Sequence, residues 1–198
     1  MSTDAYQPPE AELEPAKNEG SVGQPYYAVS TKKLLVMYFV TGGIYLVYWF
    51  YENWRRQKIV ENNSSIPVLR AIFSVFFTHA LFNYAELDAK KHQPDYHWAS
   101  NSWATAFVIV VIVNYFFGRL VDKVFFESMS FAVVPLLLMP VTAYIIYQAQ
   151  RTINIACNDV DGVSNGNFTV YNILWMIMLG LLSWSSLLAV IFLPLYGT

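Results

Sequence analysis

The length, composition and charge of this 198-residue chain limit the kinds of protein that it can be. Apolar residues make up 56% of it and charged residues 13%, against roughly 45–50% and roughly 25% in soluble domains. Such a chain has too few charges to cover a soluble globule and too much apolar surface to remain disordered. The net charge of -2 excludes the strongly basic face expected of a nucleic-acid-binding protein, and the single Cys157 excludes an intramolecular disulfide.

The first 31 residues differ in composition from the rest of the chain. Acidic residues alternate there with proline and glycine, and few side chains can contribute to a core. Such a stretch cannot bury enough apolar surface to offset its ordering entropy, so residues 1–31 are predicted to be a flexible acidic tail. Residues 32–198 are then predicted to be the transmembrane helical domain.

Four long apolar stretches follow the tail and are predicted to cross a lipid bilayer. A helix rises about 1.5 Å per residue, so about 20 residues cross a hydrocarbon layer of about 30 Å. In lipid these segments must be helical, because their backbone groups find no water to bond. The predicted spans are residues 34–51, 103–118, 129–149 and 170–196.

A fifth segment, residues 66–85, has the length of a span but carries Arg70 and His79. An arginine at the bilayer centre costs roughly 2.5–3.5 kcal/mol, whereas near a helix end it reaches the headgroups. A spanning helix and an interfacial or re-entrant helix are therefore both open. The predicted fold class is all-α, an integral membrane helical bundle with four transmembrane helices and this ambiguous one. Lysine and arginine are shared almost evenly among the loops, so the sidedness of the termini is also open.

Aromatic residues crowd the end of the first predicted span and are followed directly by cations. Successive residues are about 100° apart on a helix, so these rings point in all directions rather than along one stripe. That distribution favours a belt at headgroup depth over a ligand or lipid-headgroup cage built from Trp54, Arg55 and Arg56. The predicted interface anchors are Tyr48, Trp49, Trp54, Arg55 and Arg56.

Small and polar residues inside the spans predict where helices pack. Gly42 and Gly43 leave a notch in the first span that a second helix can approach closely, and static packing is favoured there over a hinge. Asn114, inside the second span, is predicted to hydrogen-bond to a neighbouring helix.

The polar residues of the ambiguous segment form a candidate functional cluster. His79, Asn83 and Glu86 stand at positions i, i+4 and i+7 on one helix face, and Arg70 precedes them on another. Ionisable groups at membrane depth are functional candidates, and a histidine with a glutamate can relay protons or hold a metal. No further ligands occur at motif spacing, so no metal or cofactor is predicted, and structural polar contacts are the favoured interpretation.

The chain carries no GxSxG, Walker A or GxGxxG motif, and catalysis is therefore not the favoured function. The prediction is a non-catalytic interaction or scaffold protein, or an accessory subunit, whose partners are the lipid bilayer and a membrane protein or a second copy. The first alternative is a small transporter or channel that sets the polar segment 70–86 against the third span, bent by Pro135 and Pro140. The second is a membrane enzyme acting on lipid, with His79 as base and Glu86 as its partner.

Three stretches of the sequence together resemble a known group of proteins. They are residues 6–14 (YQPPEAELE), 43–54 (GIYLVYWFYENW) and 70–79 (RAIFSVFFTH), and the likeness continues into residues 150–154. In this combination the chain is similar to small, uncharacterised inner-membrane proteins of Gram-negative bacteria. The resemblance implies a bacterial source and a multi-pass location in the inner membrane, and it implies no activity.

Overall fold

All the regular secondary structure in the part of the chain that the structure describes is helical. A computed structural model describes residues 23–62, 64–124 and 133–196. These residues form seven α-helices and one 3-10 turn, with no strand among them, which confirms the predicted all-α fold. The helices are α1 (Thr31–Val40), α2 (Tyr45–Glu61), α3 (Pro67–Ile72), α4 (Ser74–His92), α5 (Ser100–Val124), α6 (Val133–Ala156) and α7 (Val170–Tyr196), and the 3-10 turn (Val163–Asn165) lies between α6 and α7.

Aromatic rings from α2, α4 and α5 meet at the centre of the bundle. The ring centroids of Phe50 and Phe107 are 5.5 Å apart, and Phe82 lies 6.4 Å from Phe107 and 4.9 Å from Trp98. All four rings are buried, and Ile146 of α6 belongs to the same cluster. Because each aromatic ring removes a large area from water, this cluster is the apolar core that holds the four helices together.

Helices α5 and α6 run in opposite directions. The hydroxyls of Tyr96, just before α5, and Thr152, near the end of α6, are 2.8 Å apart. The rings of Trp103, at the start of α5, and Tyr144, about two turns before Thr152 in α6, have centroids 5.6 Å apart. The loop before α5 and the loop after α6 therefore lie together and form the polar end of the bundle, residues 93–99 and 157–169.

Helix α7 runs parallel to α1 and contacts it at both ends. At the polar end, Lys33 Nζ donates a hydrogen bond to the carbonyl oxygen of Asn167 at 2.7 Å. At the other end, Trp184 Nε1 donates to the carbonyl oxygen of Val40 at 3.0 Å. Since α6 runs back toward the polar end, α5, α6 and α7 alternate in direction.

The first predicted span is two helices rather than one. Helix α1 ends after 10 residues, about 15 Å, because Gly42 and Gly43 both take positive φ angles, 59° and 89°. The amide of Gly43 donates to the carbonyl oxygen of Tyr38 at 2.9 Å, which closes the helix as in a Schellman motif. A continuous helix over residues 34–51 was predicted, and that prediction is wrong because the two glycines end the helix inside it.

The same glycine turn allows a close approach of α7. A Cβ at Gly42 would lie 2.7 Å from Cβ of Ser183, so a larger residue would push the two helices apart. Ser183 Oγ donates to the carbonyl oxygen of Thr41 at 2.9 Å, at the C-terminal end of α1. Side chains of α7 thus bond carbonyl groups that the end of α1 leaves without helical partners.

The ambiguous segment 66–85 is also divided, at Phe73 (φ -95°, ψ 37°). Helix α3, before this residue, has 6 residues and packs on α2, where the guanidinium of Arg70 lies 4.4 Å from the ring centroid of Trp54. A continuous spanning helix over the predicted segment is therefore not formed. The exposed side chains of Ile72 and Phe76 flank the break.

The remaining predicted spans coincide with α5, α6 and α7, although residues 125–132, which include the start of the third, lie outside the described residues. Residues Ser100–Phe117 of α5 are long and apolar enough to cross a membrane, and α7 adds a shorter apolar stretch, Val170–Ser185. On these criteria the described residues contain one candidate span, not the four that were predicted.

An extended segment, residues 25–30, lies buried in the bundle before α1 begins. Tyr26 and Val29 are fully buried there, although the tail was predicted to include them. The tail prediction is therefore wrong for this segment, and residues 1–22 lie outside the described part. Side-chain amides bond its backbone at Pro25 O (Gln57, 3.2 Å), Tyr27 N (Asn53, 3.1 Å), Tyr27 O (Gln150, 3.0 Å) and Ala28 O (Asn165, 3.3 Å).

Asn154 of α6 makes the most complete of these contacts. Its Oδ1 accepts from the amide of Val29 at 3.3 Å, and its Nδ2 donates to the carbonyl oxygen of the same residue at 3.1 Å. Gly162 (φ 65°), in the loop after α6, lies against the segment, and a Cβ there would overlap the main chain of Val29. The segment is thus held between α6 and the loop that follows it.

Replacing Asn154 with alanine is expected to lower the free energy of unfolding by about 2–5 kcal/mol, because it leaves a buried donor and a buried acceptor of Val29 without partners. Denaturation of the detergent-solubilised protein, followed by circular dichroism, measures the change. The matched control is Asn83→Ala on the exposed face of α4, which is expected to change the value by less than about 0.5 kcal/mol. Equal effects of the two substitutions would contradict the structural role of Asn154.

Candidate functional site: a cleft with a cationic floor

A cleft of about 850 Å³ opens between α1, α2, α3, the 3-10 turn and α7. Its volume lies within the roughly 300–1,000 Å³ that is typical of small-molecule sites. The extended segment supplies part of the floor through Tyr27, and the turn between α1 and α2 supplies Thr41 and Ile44. The cleft therefore exists where it does because α1 is short and the segment before it is buried.

Two cations line the cleft, Lys33 and Arg56, and no carboxylate is among the described residues that line it. Lys33 is only 2% exposed, and its ammonium donates to Asn165 Oδ1 and to the carbonyl oxygen of Asn167, both at 2.7 Å. Burial lowers the pKa of Lys33, because both acceptors are neutral and burial disfavours the charged form. The cleft floor is therefore electropositive.

The second cation of the cleft is held by an aromatic ring and a carboxylate. The guanidinium of Arg56 lies 5.4 Å from the ring centroid of Tyr27, within the range of a cation–π contact. Its Nε is 3.7 Å from Oε2 of Glu52, and the same carboxylate accepts two hydrogen bonds from Arg55 at 2.9 and 3.1 Å. Two arginines thus share one glutamate beside the cleft.

The rim of the cleft is apolar and exposed. Ile44 and Val47 come from the start of α2, Ile72 from α3 and Trp175 from α7. Tyr48, which was predicted to be an interface anchor, is also exposed on this rim. The cleft thus combines a buried cationic floor with an exposed apolar entrance.

The predicted polar cluster is not assembled into one site. His79 Nε2 lies 3.1 Å from Oγ1 of Thr105, while Glu86 accepts from the amide of Ser100 at 3.0 Å and pairs with Lys90 at 2.8 Å. Along the helix, His79 and Glu86 are about 10 Å apart, and neither lines the described cleft. Glu86 therefore fixes the start of α5, and His79 and Glu86 contact different side chains in the described part of the chain.

The other two members of that cluster are also separate. Arg70 stacks on Trp54 and Phe77, with its guanidinium 5.5 Å from the second ring, and Asn83 is exposed on α4. The lipid-enzyme alternative requires His79 and Glu86 to face one cavity, and the described contacts give the two side chains separate partners. The transporter alternative, in which the segment 70–86 packs against the third span, stays a prediction.

The predicted aromatic belt is largely inside the protein. Trp49 and Trp54 are buried, with Trp49 Nε1 donating to Oε1 of Gln150, and Arg56 is buried in the cleft floor. Of the predicted anchors, Tyr48 is exposed and the side chain of Arg55 is partly exposed. The belt prediction is wrong for the two tryptophans, because α2 begins only after the glycine turn and then packs on α3 and α4.

The residues predicted to pack helices have different environments. Gly42 lies against Ser183 of α7, whereas a Cβ at Gly43 would lie 3.4 Å from the ring of Tyr38, within the same turn. Asn114 is exposed on α5, and its side chain has no hydrogen-bond partner among the described residues. The helix contact predicted for Asn114 is therefore not made there.

The most buried polar residues did not stand out in the sequence. Lys33 was placed at the boundary of a span, and Gln150 and Asn154 were noted only as part of a resemblance. A signal was present: Asn53 with Gln57, and Gln150 with Asn154, are amide pairs at i, i+4, which places each pair on one helix face. Such pairs next to apolar residues indicate a buried backbone that needs partners.

Comparisons with known proteins give no match to a protein family, a curated protein or a solved structure. The resemblance to Gram-negative inner-membrane proteins therefore stays a prediction. Within the described residues there is also no group of three or more His, Cys, Asp or Glu side chains able to hold a metal ion. The cleft is the candidate functional site because of its volume, its two cations and its apolar rim.

Glu86 gives the fold a pH dependence. Burial opposes its ionisation, but hydrogen bonds from Lys90 and Ser100 outweigh burial and lower its pKa from 4.5 to about 2. A lowered pKa in the folded state stabilises the protein above pH 4.5, and this stabilisation is lost as the pH falls from 4.5 toward 2. Glu86→Gln is expected to lower the unfolding free energy by about 1–3 kcal/mol at pH 7, and by less as the pH falls toward 3.

Chemical denaturation of wild type and variant at about pH 7, 5, 4 and 3 measures this difference. Asp95→Asn, in the exposed loop before α5, serves as the control and is expected to change the unfolding free energy by less than about 0.5 kcal/mol. A difference between wild type and Glu86→Gln that stays constant across this range would rule out the ionised carboxylate as its source.

Proposed function

We propose that this chain is an integral membrane protein with a non-catalytic interaction role. The observation that carries the proposal is the outer surface of α5, α6 and α7, where large apolar side chains are exposed to the surroundings. They include Ile109, Ile112, Phe116, Leu137, Val141, Ile173, Leu174, Ile177, Leu181 and Leu182. Soluble monomers rarely expose continuous apolar faces of this extent, whereas acyl chains solvate them without cost.

The lengths and directions of these helices fit three crossings. Helices α5, α6 and α7 have 25, 24 and 27 residues, which gives each about 36–40 Å. They alternate in direction, so the polar end lies on one side of the membrane, and the end of α5 and the start of α6 lie on the other. The exposed Phe39, Val40 and Ile44 support a location of the turn between α1 and α2 in the same apolar layer. This arrangement replaces the four predicted spans.

An interaction role is supported by the weak attachment of α7. Among the described helices it contacts only α1, so most of its apolar surface faces away from the bundle. Small and aromatic residues on such a surface allow another transmembrane helix to pack there. We propose that the partner is a second copy of this chain or another membrane protein. The resemblance to Gram-negative proteins makes the bacterial inner membrane the proposed location.

Leu181→Lys tests the membrane proposal. Leu181 is 69% exposed, so a lysine there is harmless in water but costs roughly 2.5–3.5 kcal/mol in the bilayer core. Wild type is expected to stay with membranes after alkaline carbonate extraction, and the variant to be retained at a much lower level. The control is Val163→Lys, 74% exposed in the polar end, which is expected to behave as wild type. Recovery of wild type in the carbonate supernatant would overturn the proposal.

A photo-crosslinking residue at Met178 tests the interaction role. Met178 is exposed on α7, and irradiation of intact membranes is expected to give one discrete crosslinked protein band. A band at twice the mass of the chain identifies a homo-oligomer, and another mass identifies a partner. The same probe at Val163 of the polar end is the control for random collision. Crosslinks to lipid alone at Met178 would contradict the interaction role.

A further inference from the structure

The floor of the cleft offers positive charge to a ligand. Lys33 has three hydrogens to donate and two neutral oxygen acceptors within the protein, so its positive charge has no carboxylate partner among the described residues. Arg56 adds a second cation to the same lining. A buried cation is stabilised when an anion approaches it, because the low dielectric constant strengthens their attraction. The floor therefore favours an anionic group.

The rim of the cleft offers apolar contact beside this charge. Ile44, Val47 and Ile72 are exposed there, and Trp175 lies opposite them on α7. Ile44 lies in the turn and Trp175 on the helix α7 that are proposed to face the acyl chains of the bilayer. A ligand that occupies both floor and rim must carry a negative charge next to a long apolar chain.

We propose that the cleft binds an anionic phospholipid, with its phosphate on the floor beside Lys33 and Arg56 and an acyl chain along the apolar rim. The proposal rests on the membrane location proposed above, because the bilayer supplies the ligand. Arginine and lysine are the side chains that most often bind phosphate, through charge-assisted hydrogen bonds. The cleft volume of about 850 Å³ leaves room for part of a chain as well as the headgroup.

Two related ligands fit the cleft less well. A free phosphate uses the cationic floor but leaves the apolar rim without a partner. A zwitterionic phospholipid fills the rim, but its headgroup brings a third positive charge to a floor that already holds two. The proposal thus expects selection for lipid over free anion and for anionic over zwitterionic lipid.

Trp175 provides a direct probe because it is exposed on the rim. The full chain in detergent micelles is titrated with phosphatidylglycerol or phosphatidylcholine brominated on the acyl chains, and tryptophan fluorescence is recorded. The difference in fluorescence between wild type and Trp175→Phe gives the contribution of Trp175. The expected result is saturable quenching of Trp175 by the anionic lipid, at a mole fraction about tenfold lower than for the zwitterionic lipid.

Matched substitutions separate the floor from the rim. Lys33→Met is expected to remove the preference for the anionic lipid. The control is Lys32→Met, at the exposed neighbouring residue, and this variant is expected to keep the preference. Lys33 also bonds the loop after α6, so gel filtration and circular dichroism check the fold of the variant.

The double substitution Val47→Phe with Ile72→Phe narrows the rim without removing a hydrogen bond and is expected to weaken quenching by both lipids. Ile109→Phe with Ile112→Phe on α5 is the control for added aromatic surface.

The outcomes distinguish the candidate occupants. Selective, saturable quenching that is lost in the floor or rim variants and kept in both controls supports the proposal. Equal, unsaturable quenching by the two lipids in every variant overturns it and indicates general lipid contact. Displacement of the anionic lipid by free inorganic phosphate also overturns it and indicates an anion site. The lipid titration is done in micelles and does not depend on insertion into a bilayer. Loss of wild type from membranes during carbonate extraction would therefore contradict the membrane proposal by a separate experiment.

Discussion

The constraint on which this structure depends is the hydrogen bonding of a buried extended backbone. Residues 25–30 lie in the bundle without helical partners, and buried amide and carbonyl groups must be bonded somewhere. Side-chain amides meet that requirement, above all Asn154, which bonds both polar groups of Val29. Because these amides come from α2, α6 and the loop before α7, the segment fixes the relative positions of all three.

The same arrangement creates the cleft. The buried segment brings Tyr27 and Lys33 into the bundle, and the turn at Gly42 ends α1 early enough for α2 to leave an opening beside α7. Had residues 34–51 formed one straight helix, Lys33 would lie at its outer end, where a lysine reaches water or headgroups. Buried charge and exposed apolar rim are therefore both consequences of one broken helix, and a site for an amphiphilic anion follows from that geometry.

Particular elements show what sequence patterns could and could not predict. The long apolar runs predicted α5 and α7, because an uncharged run of that length must be helical in lipid to bond its own backbone groups. Composition could not separate the two environments for Trp49, because an aromatic ring with one polar nitrogen suits a headgroup belt and a hydrogen-bonded core equally well. His79 and Glu86 share a helix face but bond to different neighbours, and those neighbours lie on α5 and within α4 itself.

The amino-acid sequence by itself determined that the regular structure of the described residues is helical and where the longest apolar helices lie, since both follow from local composition and length. Tertiary structure alone decided which polar residues are buried and that an apparent tail segment is part of the core. It also decided that the first predicted span and the ambiguous segment 66–85 are each divided into two helices. The physical reason is that burial of a backbone or a charge depends on partners far away in the chain. Val29 and Asn154 are 125 positions apart, and no local sequence pattern predicts whether two such residues will be in contact.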